Sequence, residues 1–63
     1  MDHDLTGAVD LFSWNEVPTY EGVYYEGYLP NGTAHLTGLV SHDIYHEGKH
    51  YIECVEDTLY LLH

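Results

Sequence analysis

The segment that most constrains the fold is the turn sequence Leu29-Pro30-Asn31-Gly32-Thr33. Proline suits the second position of a type I turn because its ring fixes φ at about −65°. The glycine that follows accepts a left-handed conformation, and a type I turn closed by such a glycine joins antiparallel strands. We therefore predict a β-hairpin in which residues 20–29 pair with residues 33–40, with Gly38 bending the second strand.

A second hairpin is predicted around Glu47-Gly48-Lys49. A three-residue loop separates apolar from polar side chains better than a two-residue loop, which would place Ile44 opposite Tyr51. The pairs predicted from the three-residue loop are His46 with His50, Ile44 with Ile52, His42 with Cys54, Asp43 with Glu53 and Tyr45 with Tyr51. A short turn at Glu56-Asp57 then leads into a last apolar strand.

The N-terminal quarter of the chain has a different pattern. Apolar residues recur there at the i, i+3, i+4, i+7 spacing of an amphipathic helix, at Leu5, Ala8, Val9 and Phe12. Asp2, Asp4 or Thr6 is available to cap the start of such a helix, and Val17-Pro18 would end it. The spacing predicts a helical segment within residues 1–16.

These elements predict an α+β fold that is mostly β. The predicted short N-terminal helix is followed, over residues 20–63, by a meander of four or five antiparallel strands. The meander forms either an open sheet or a small SH3-like barrel. Because 63 residues are too few for two hydrophobic cores, residues 1–63 are expected to form one domain.

The charge balance limits the possible partners. Eleven Asp and Glu residues accompany a single lysine, Lys49, and no arginine, which gives a formal net charge of −10. Such a surface repels nucleic acid and anionic membranes. No apolar run is long enough to span a bilayer, and Met1-Asp2-His3-Asp4 lacks the basic start of a signal peptide. We expect a cytoplasmic protein that contacts neither membrane nor nucleic acid directly.

Metal binding and catalysis are both poorly supported by the sequence. In the predicted hairpin, His46 and His50 lie opposite each other, but zinc needs three or four ligands, so they are weak candidates and we expect no metal or cofactor. Cys54 lies beside Glu53 and Glu56, whose charges would raise the pKa of its thiol. No catalytic motif is present, and we expect that the protein is not an enzyme.

Acidic and tyrosine side chains are the predicted binding residues. Like charges directly across a strand pair are destabilising, so the predicted pair of Asp43 and Glu53 points to a role in binding. Tyrosines are typical anchors of protein interfaces. The predicted partner-binding residues are Glu21, Glu26, Asp43, Tyr45, Glu47, Tyr51, Glu53, Glu56 and Asp57.

In size and charge the chain resembles the small acidic proteins with which phages and mobile elements inhibit restriction enzymes, CRISPR effectors and uracil-DNA glycosylase. The resemblance implies a DNA mimic that occupies the basic nucleic-acid channel of such an enzyme. Two alternatives stay open. In the first alternative the chain is a salt-adapted β-domain, as in halophiles. In the second it is a dimeric interaction module whose acidic residues prevent aggregation.

Overall fold

Residues 5–63 are described by the computed structural model, and they form six β-strands and no helix. The strands are β1 (Val9–Thr19), β2 (Gly22–Tyr28), β3 (Ala34–Leu36), β4 (Val40–His46), β5 (Lys49–Cys54) and β6 (Leu59–Leu62). They make one sheet in the order β3-β2-β1-β6-β5-β4. β1 and β6 run parallel, whereas the other neighbours are antiparallel. The prediction of a mostly β fold is confirmed and the sheet is open, but it has six strands rather than four or five and is mixed rather than wholly antiparallel.

The predicted N-terminal helix is wrong, because β1 begins at Val9 and occupies the second half of that segment. Leu11 is fully buried while Phe12, the next residue, is 38% exposed, as expected for side chains on opposite faces of a strand. Pairing with β6 satisfies the backbone of residues 9–11, and this tertiary contact outweighs the helical spacing of the apolar residues. The proposed cap residues Asp2 and Asp4 lie outside the described residues.

The turn predicted between the first two meander strands is confirmed. The Gly32 amide donates to the Leu29 carbonyl at 2.8 Å, and the Leu29 amide donates to the Thr33 carbonyl at 2.9 Å. Gly32 has a φ of 86°, which is the left-handed conformation required to close this type of turn. The strand that follows is shorter than predicted, because β3 pairs with β2 over three residues.

The same turn geometry recurs between β5 and β6. The Asp57 amide donates to the Cys54 carbonyl and the Cys54 amide donates to the Thr58 carbonyl, both at 2.9 Å. Asp57, with a φ of 71°, stands where the first turn has glycine. The predicted turn at Glu56-Asp57 is therefore confirmed, and it places the last apolar strand in the middle of the sheet.

The predicted register of the β4–β5 hairpin is wrong. The loop has two residues, Glu47 and Gly48, with φ values of 51° and 77°. Two successive left-handed residues form a type I′ turn, whose twist matches that of the flanking strands. The observed pairs are His46 with Lys49, Tyr45 with His50, Ile44 with Tyr51, Asp43 with Ile52 and His42 with Glu53. Because β4 is an edge strand with one intermediate apolar residue in this stretch, its hydrophobic pattern specifies the register weakly.

The edge strands β3 and β4 are consecutive in the chain and are joined by residues 37–39. In a flat sheet of six strands the two edges would lie about 24 Å apart. The connection spans at most about 14 Å, so the sheet has to coil until its edges approach each other. Thr37 donates its amide to the Tyr25 carbonyl of β2, and Leu39 accepts from the Val55 amide that follows β5. The open sheet thus wraps around its core, and Gly38 lies at the crossing point.

The core lies on the inner face of this coiled sheet. Its buried side chains are Leu11, Tyr25, Ile52, Cys54, Tyr60 and Leu62, with Trp14, Val23 and Val40 packed around them. The resulting body measures 29 × 29 × 20 Å. All charged side chains of residues 5–63 are left at least partly exposed.

We predict that Leu11→Ala lowers the free energy of unfolding by about 2–5 kcal/mol, because it removes a fully buried side chain and leaves a cavity. The matched control is Leu36→Ala, because Leu36 is 59% exposed and the same change should cost under about 1 kcal/mol. Urea unfolding of the two variants measures both values. Equal losses would contradict the assignment of the core to the inner face.

Candidate functional site

Carboxylates dominate the described surface. Asp2 and Asp4 lie outside residues 5–63, so nine of the eleven acids are described, together with Lys49. Dividing the longest dimension of 29 Å by these eight net negative charges gives one charge per about 3.6 Å. Duplex DNA carries one per about 1.7 Å, so this surface reaches about half the charge density of a duplex.

Three of the predicted binding residues lie at one end of the molecule, where the chain crosses between the sheet edges. Glu21 is in the β1–β2 turn, and Glu56 and Asp57 are in the β5–β6 turn. Leu39 connects the two turns, because its side chain packs on Gly22 and its carbonyl accepts from the amide of Val55. We call Glu21, Glu56 and Asp57 the crossover acids.

Glu56 packs closely against the crossing segment. Its carboxylate occupies the space that a Cβ at position 38 would need, so a side chain there would have to displace the flexible end of Glu56. Cys54 lies beneath, 1% exposed, and its thiol donates to the Gly38 carbonyl at 3.5 Å. Burial raises the pKa of the Cys54 thiol and the Glu56 charge raises it further. The predicted rise in the pKa of this thiol has the right direction, although burial is the larger cause and the contributing carboxylate is Glu56 rather than Glu53.

The β4–β5 hairpin separates acids that were predicted to lie together. Asp43 is opposite Ile52 and Glu53 is opposite His42, so the two carboxylates lie on different faces of the sheet. The predicted like-charge pair of Asp43 and Glu53 is therefore wrong. Glu47 lies in the turn, with its side chain 78% exposed.

Histidines, rather than other acids, are the neighbours of these carboxylates. The nitrogen to oxygen distances are 3.3 Å for His42 and Glu53, 3.0 Å for His50 and Asp43, 3.7 Å for His46 and Glu47, and 2.9 Å for His63 and Asp10. A neutral imidazole can donate its N–H to a carboxylate without changing the net charge. Sequence reasoning missed three of these pairs because they depend on the hairpin register or on the β1–β6 pairing, whereas His46 and Glu47 are adjacent in the sequence.

The two predicted tyrosines of this hairpin have different environments. Tyr45 is 74% exposed and stacks on the His50 ring, with centroids 4.4 Å apart and planes inclined by 14°. Tyr51 is 7% exposed and its side chain is therefore buried. Tyr45 is consequently the aromatic side chain of this hairpin that a partner can reach.

The register of the β4–β5 hairpin also decides whether the weak metal candidates, His46 and His50, can bind the same ion. His46 is opposite Lys49 and His50 is opposite Tyr45, so the two imidazoles point to opposite faces of the sheet. They cannot hold one ion together within the chain. Residues 5–63 contain no group of three or more His, Cys, Asp or Glu side chains arranged to hold a metal.

Glu26 lies apart from the other predicted acids, in a shallow groove across β1, β2 and β3. The groove has a volume of about 350 Å³, and its outward-facing side chains include Asn15, Glu26, Tyr28, Ala34 and Leu36. Strand alternation places Glu26 and Tyr28 on the same face of β2, which the sequence could have indicated. The groove itself depends on a bulge in β1, and no sequence pattern predicted that bulge.

No helix within residues 5–63 has the length and apolar character needed to cross a membrane. Comparison of the chain with protein-family models, with curated proteins and with solved structures finds no match.

We predict that the protein loses stability between pH 10 and pH 12. Burial raises the pKa of Tyr25 to about 12, and the nearby Glu16 carboxylate adds to this effect. In this pH range the unfolded chain releases the tyrosine proton while the folded chain keeps it, so the free energy of unfolding falls as pH rises. The difference of two pKa units corresponds to about 2–3 kcal/mol.

Urea unfolding at pH 9, 10, 11 and 12 measures this loss. Tyr25→Phe should reduce the dependence on pH, whereas Tyr20→Phe should leave it unchanged because Tyr20 is 99% exposed. Identical pH profiles for the two variants would disprove the role of Tyr25.

Proposed function

We propose that the protein is a nucleic-acid mimic that inhibits a DNA- or RNA-processing enzyme by occupying its basic channel. The observation that supports this most is the density of carboxylates, about half that of a duplex, on a body of 29 × 29 × 20 Å with a single lysine and no arginine. A partner that binds polyphosphate backbones through Lys and Arg presents the complementary charge.

The exposed carboxylates contribute little to the fold. Glu21, Glu47 and Asp57 lie in turns and Glu26 lies on the outer face of β2, all of them exposed, whereas the core is built from apolar side chains and tyrosines. A surface of one sign repels itself, and Lys49 alone offsets little of that repulsion. Binding to a basic protein would relieve it, which favours a role for the charge in recognition.

The proposed mechanism is competition. Long-range attraction between the acidic surface and a basic channel accelerates encounter, and the bound protein then excludes the nucleic acid by charge and by volume. Exposed Tyr45 adds a ring that can stack against a partner side chain. This mechanism needs no cofactor and assigns no catalytic residue.

We also propose a target class and a cellular location for this inhibition. The target would be an enzyme of the restriction, CRISPR or uracil-DNA glycosylase type, and the protein would act in the cytoplasm, of the host if it is encoded by a phage or mobile element. The partner is the enzyme itself, and neither nucleic acid nor membrane is contacted directly.

We predict that tagged protein captures one nucleic-acid-processing enzyme from nuclease-treated lysate, that raised salt elutes it and that its own nucleic acid displaces it. Binding should weaken at least tenfold when salt rises from 50 to 200 mM. Neutralising the crossover acids with E21Q, E56Q and D57N should weaken it by a similar factor, because three charges leave one end of the surface.

Tyr20→Phe is the matched control, because it changes an exposed turn residue without changing charge. Unaltered affinity of the triple variant would contradict mimicry. Increased thermal stability in molar salt, without capture of an enzyme, would favour a salt-adapted domain instead. Concentration-dependent self-association without capture would favour a dimeric module.

A further inference from the structure

The groove that contains Glu26 exists because β1 bulges against β2. Phe12 is paired with Tyr28 and Asn15 is paired with Glu26, so β1 has two residues between these pairs where β2 has Gly27 alone. An extra residue on one strand bends that strand and separates the side chains on either side of it. On the outer face, the row of Asn15 and Glu26 is therefore set apart from the row of Phe12 and Tyr28.

Gly27 provides the floor of the groove. A Cβ there would lie 2.8 Å from the Phe12 carbonyl oxygen, 3.0 Å from the Leu11 side chain and 3.2 Å from the Trp14 Cα, which leaves no room for another residue. The strands can approach closely at the bulge because position 27 is glycine. Strand alternation directs position 27 towards Leu11 on the inner face, so the floor of the groove consists of backbone and the chemistry of the groove comes from its two rows.

The first row combines a carboxylate with polar and apolar neighbours. Asn15, Glu26 and Leu36 are adjacent across the three strands, with Cβ atoms about 5 Å apart. Among residues 5–63, the Glu26 carboxylate makes no hydrogen bond and no ion pair, in contrast to the carboxylates that lie beside histidines. Glu26 is thus available to a cation from outside.

The second row provides an aromatic ring. Tyr28 is 49% exposed and lies about 6.6–6.8 Å along the strand from Glu26 on the same face. Ala34 is opposite Tyr28 and leaves one side of the ring uncovered. Leu36, 59% exposed, adds apolar surface beside Glu26. One site therefore offers a carboxylate, a ring face and an aliphatic wall.

From this geometry we infer that the groove binds the side chain of an arginine on the basic partner. The guanidinium group is planar, donates two parallel hydrogen bonds to a carboxylate and stacks on aromatic rings, and its apolar stem would lie along Leu36. An anion is repelled by Glu26, and a purely apolar ligand would bury Glu26 unpaired. The inference rests on the proposed function and names the chemical group that this part of the surface recognises.

The same chemistry relates the groove to mimicry. Arginines that hold nucleic acid bind phosphate oxygens in the bidentate way in which they bind a carboxylate. In the complex Glu26 would take the position of a phosphate and Tyr28 would take that of a base or sugar flanking it. The groove would thus fix the orientation of a protein that long-range charge has already attracted.

The test uses the full chain, labelled with ¹⁵N, and the blocked tripeptide acetyl-Gly-Arg-Gly-amide as the probe. We expect saturable amide shifts concentrated in residues 13, 15, 26–28 and 34–36, which line the groove. The citrulline tripeptide, a neutral isostere, should bind at least tenfold more weakly, and the lysine tripeptide severalfold more weakly.

Matched variants separate the groove from the general charge. Glu26→Gln should weaken the arginine tripeptide about tenfold and Tyr28→Leu severalfold, whereas Glu21→Gln removes an equal charge elsewhere and should change affinity less than twofold. Amide spectra that are unchanged outside the groove confirm that the variants stay folded.

Any one of four results would overturn the arginine site. They are amide shifts spread over the whole acidic surface, equal effects of Glu26→Gln and Glu21→Gln, equal binding of the citrulline and arginine tripeptides, and the absence of saturable shifts. None of these results bears on the lysate experiment. The proposal of mimicry would then be judged by the captured enzyme and by the salt dependence of its binding. Conversely, binding localised to the groove without capture of an enzyme would support the arginine site and contradict the proposed function.

Discussion

The connection between β3 and β4 is the constraint on which the rest of the structure depends. Three residues, 37–39, join the two edges of a six-stranded sheet, and that short link forces the sheet to coil. Coiling lets residues 5–63 enclose a core around Leu11 and Ile52 with strands alone. It also brings the β1–β2 and β5–β6 turns to one end, where the crossover acids lie.

The same small core has to hold together a surface of like charges. The structure spreads the carboxylates over both faces of the sheet and its ends, and it places histidines rather than acids beside several of them. Asp43 beside His50 is an example, since the imidazole can donate to the carboxylate at 3.0 Å without offsetting the net negative charge. The protein thus keeps a strongly acidic surface while avoiding directly opposed acids within the hairpin.

Local chemistry made part of this structure predictable. Pro30, Asn31 and Gly32 specify their turn through backbone conformations that those residues favour, so that turn was predicted correctly, although β3 is shorter than the predicted strand. The β4–β5 register was not predicted correctly, because β4 is an exposed edge strand. The N-terminal strand was missed because its first residues, 9–11, pair with β6 about fifty residues away, and the local sequence does not indicate that pairing. Exposed acids such as Glu26 were identifiable, but the groove around Glu26 requires both the bulge of β1 against β2 and the pairing of β2 with β3.

In the proposed nucleic-acid mimic, charge density and the groove would serve different requirements. A net charge of −10 attracts many basic proteins and discriminates little among them, because attraction through water depends on the total charge more than on its arrangement. A guanidinium held between Glu26 and Tyr28 must approach from one direction, since the carboxylate and the ring both constrain its plane. The bulge in β1, which Gly27 permits, would therefore convert a general attraction for basic surfaces into a preference for one orientation on one partner.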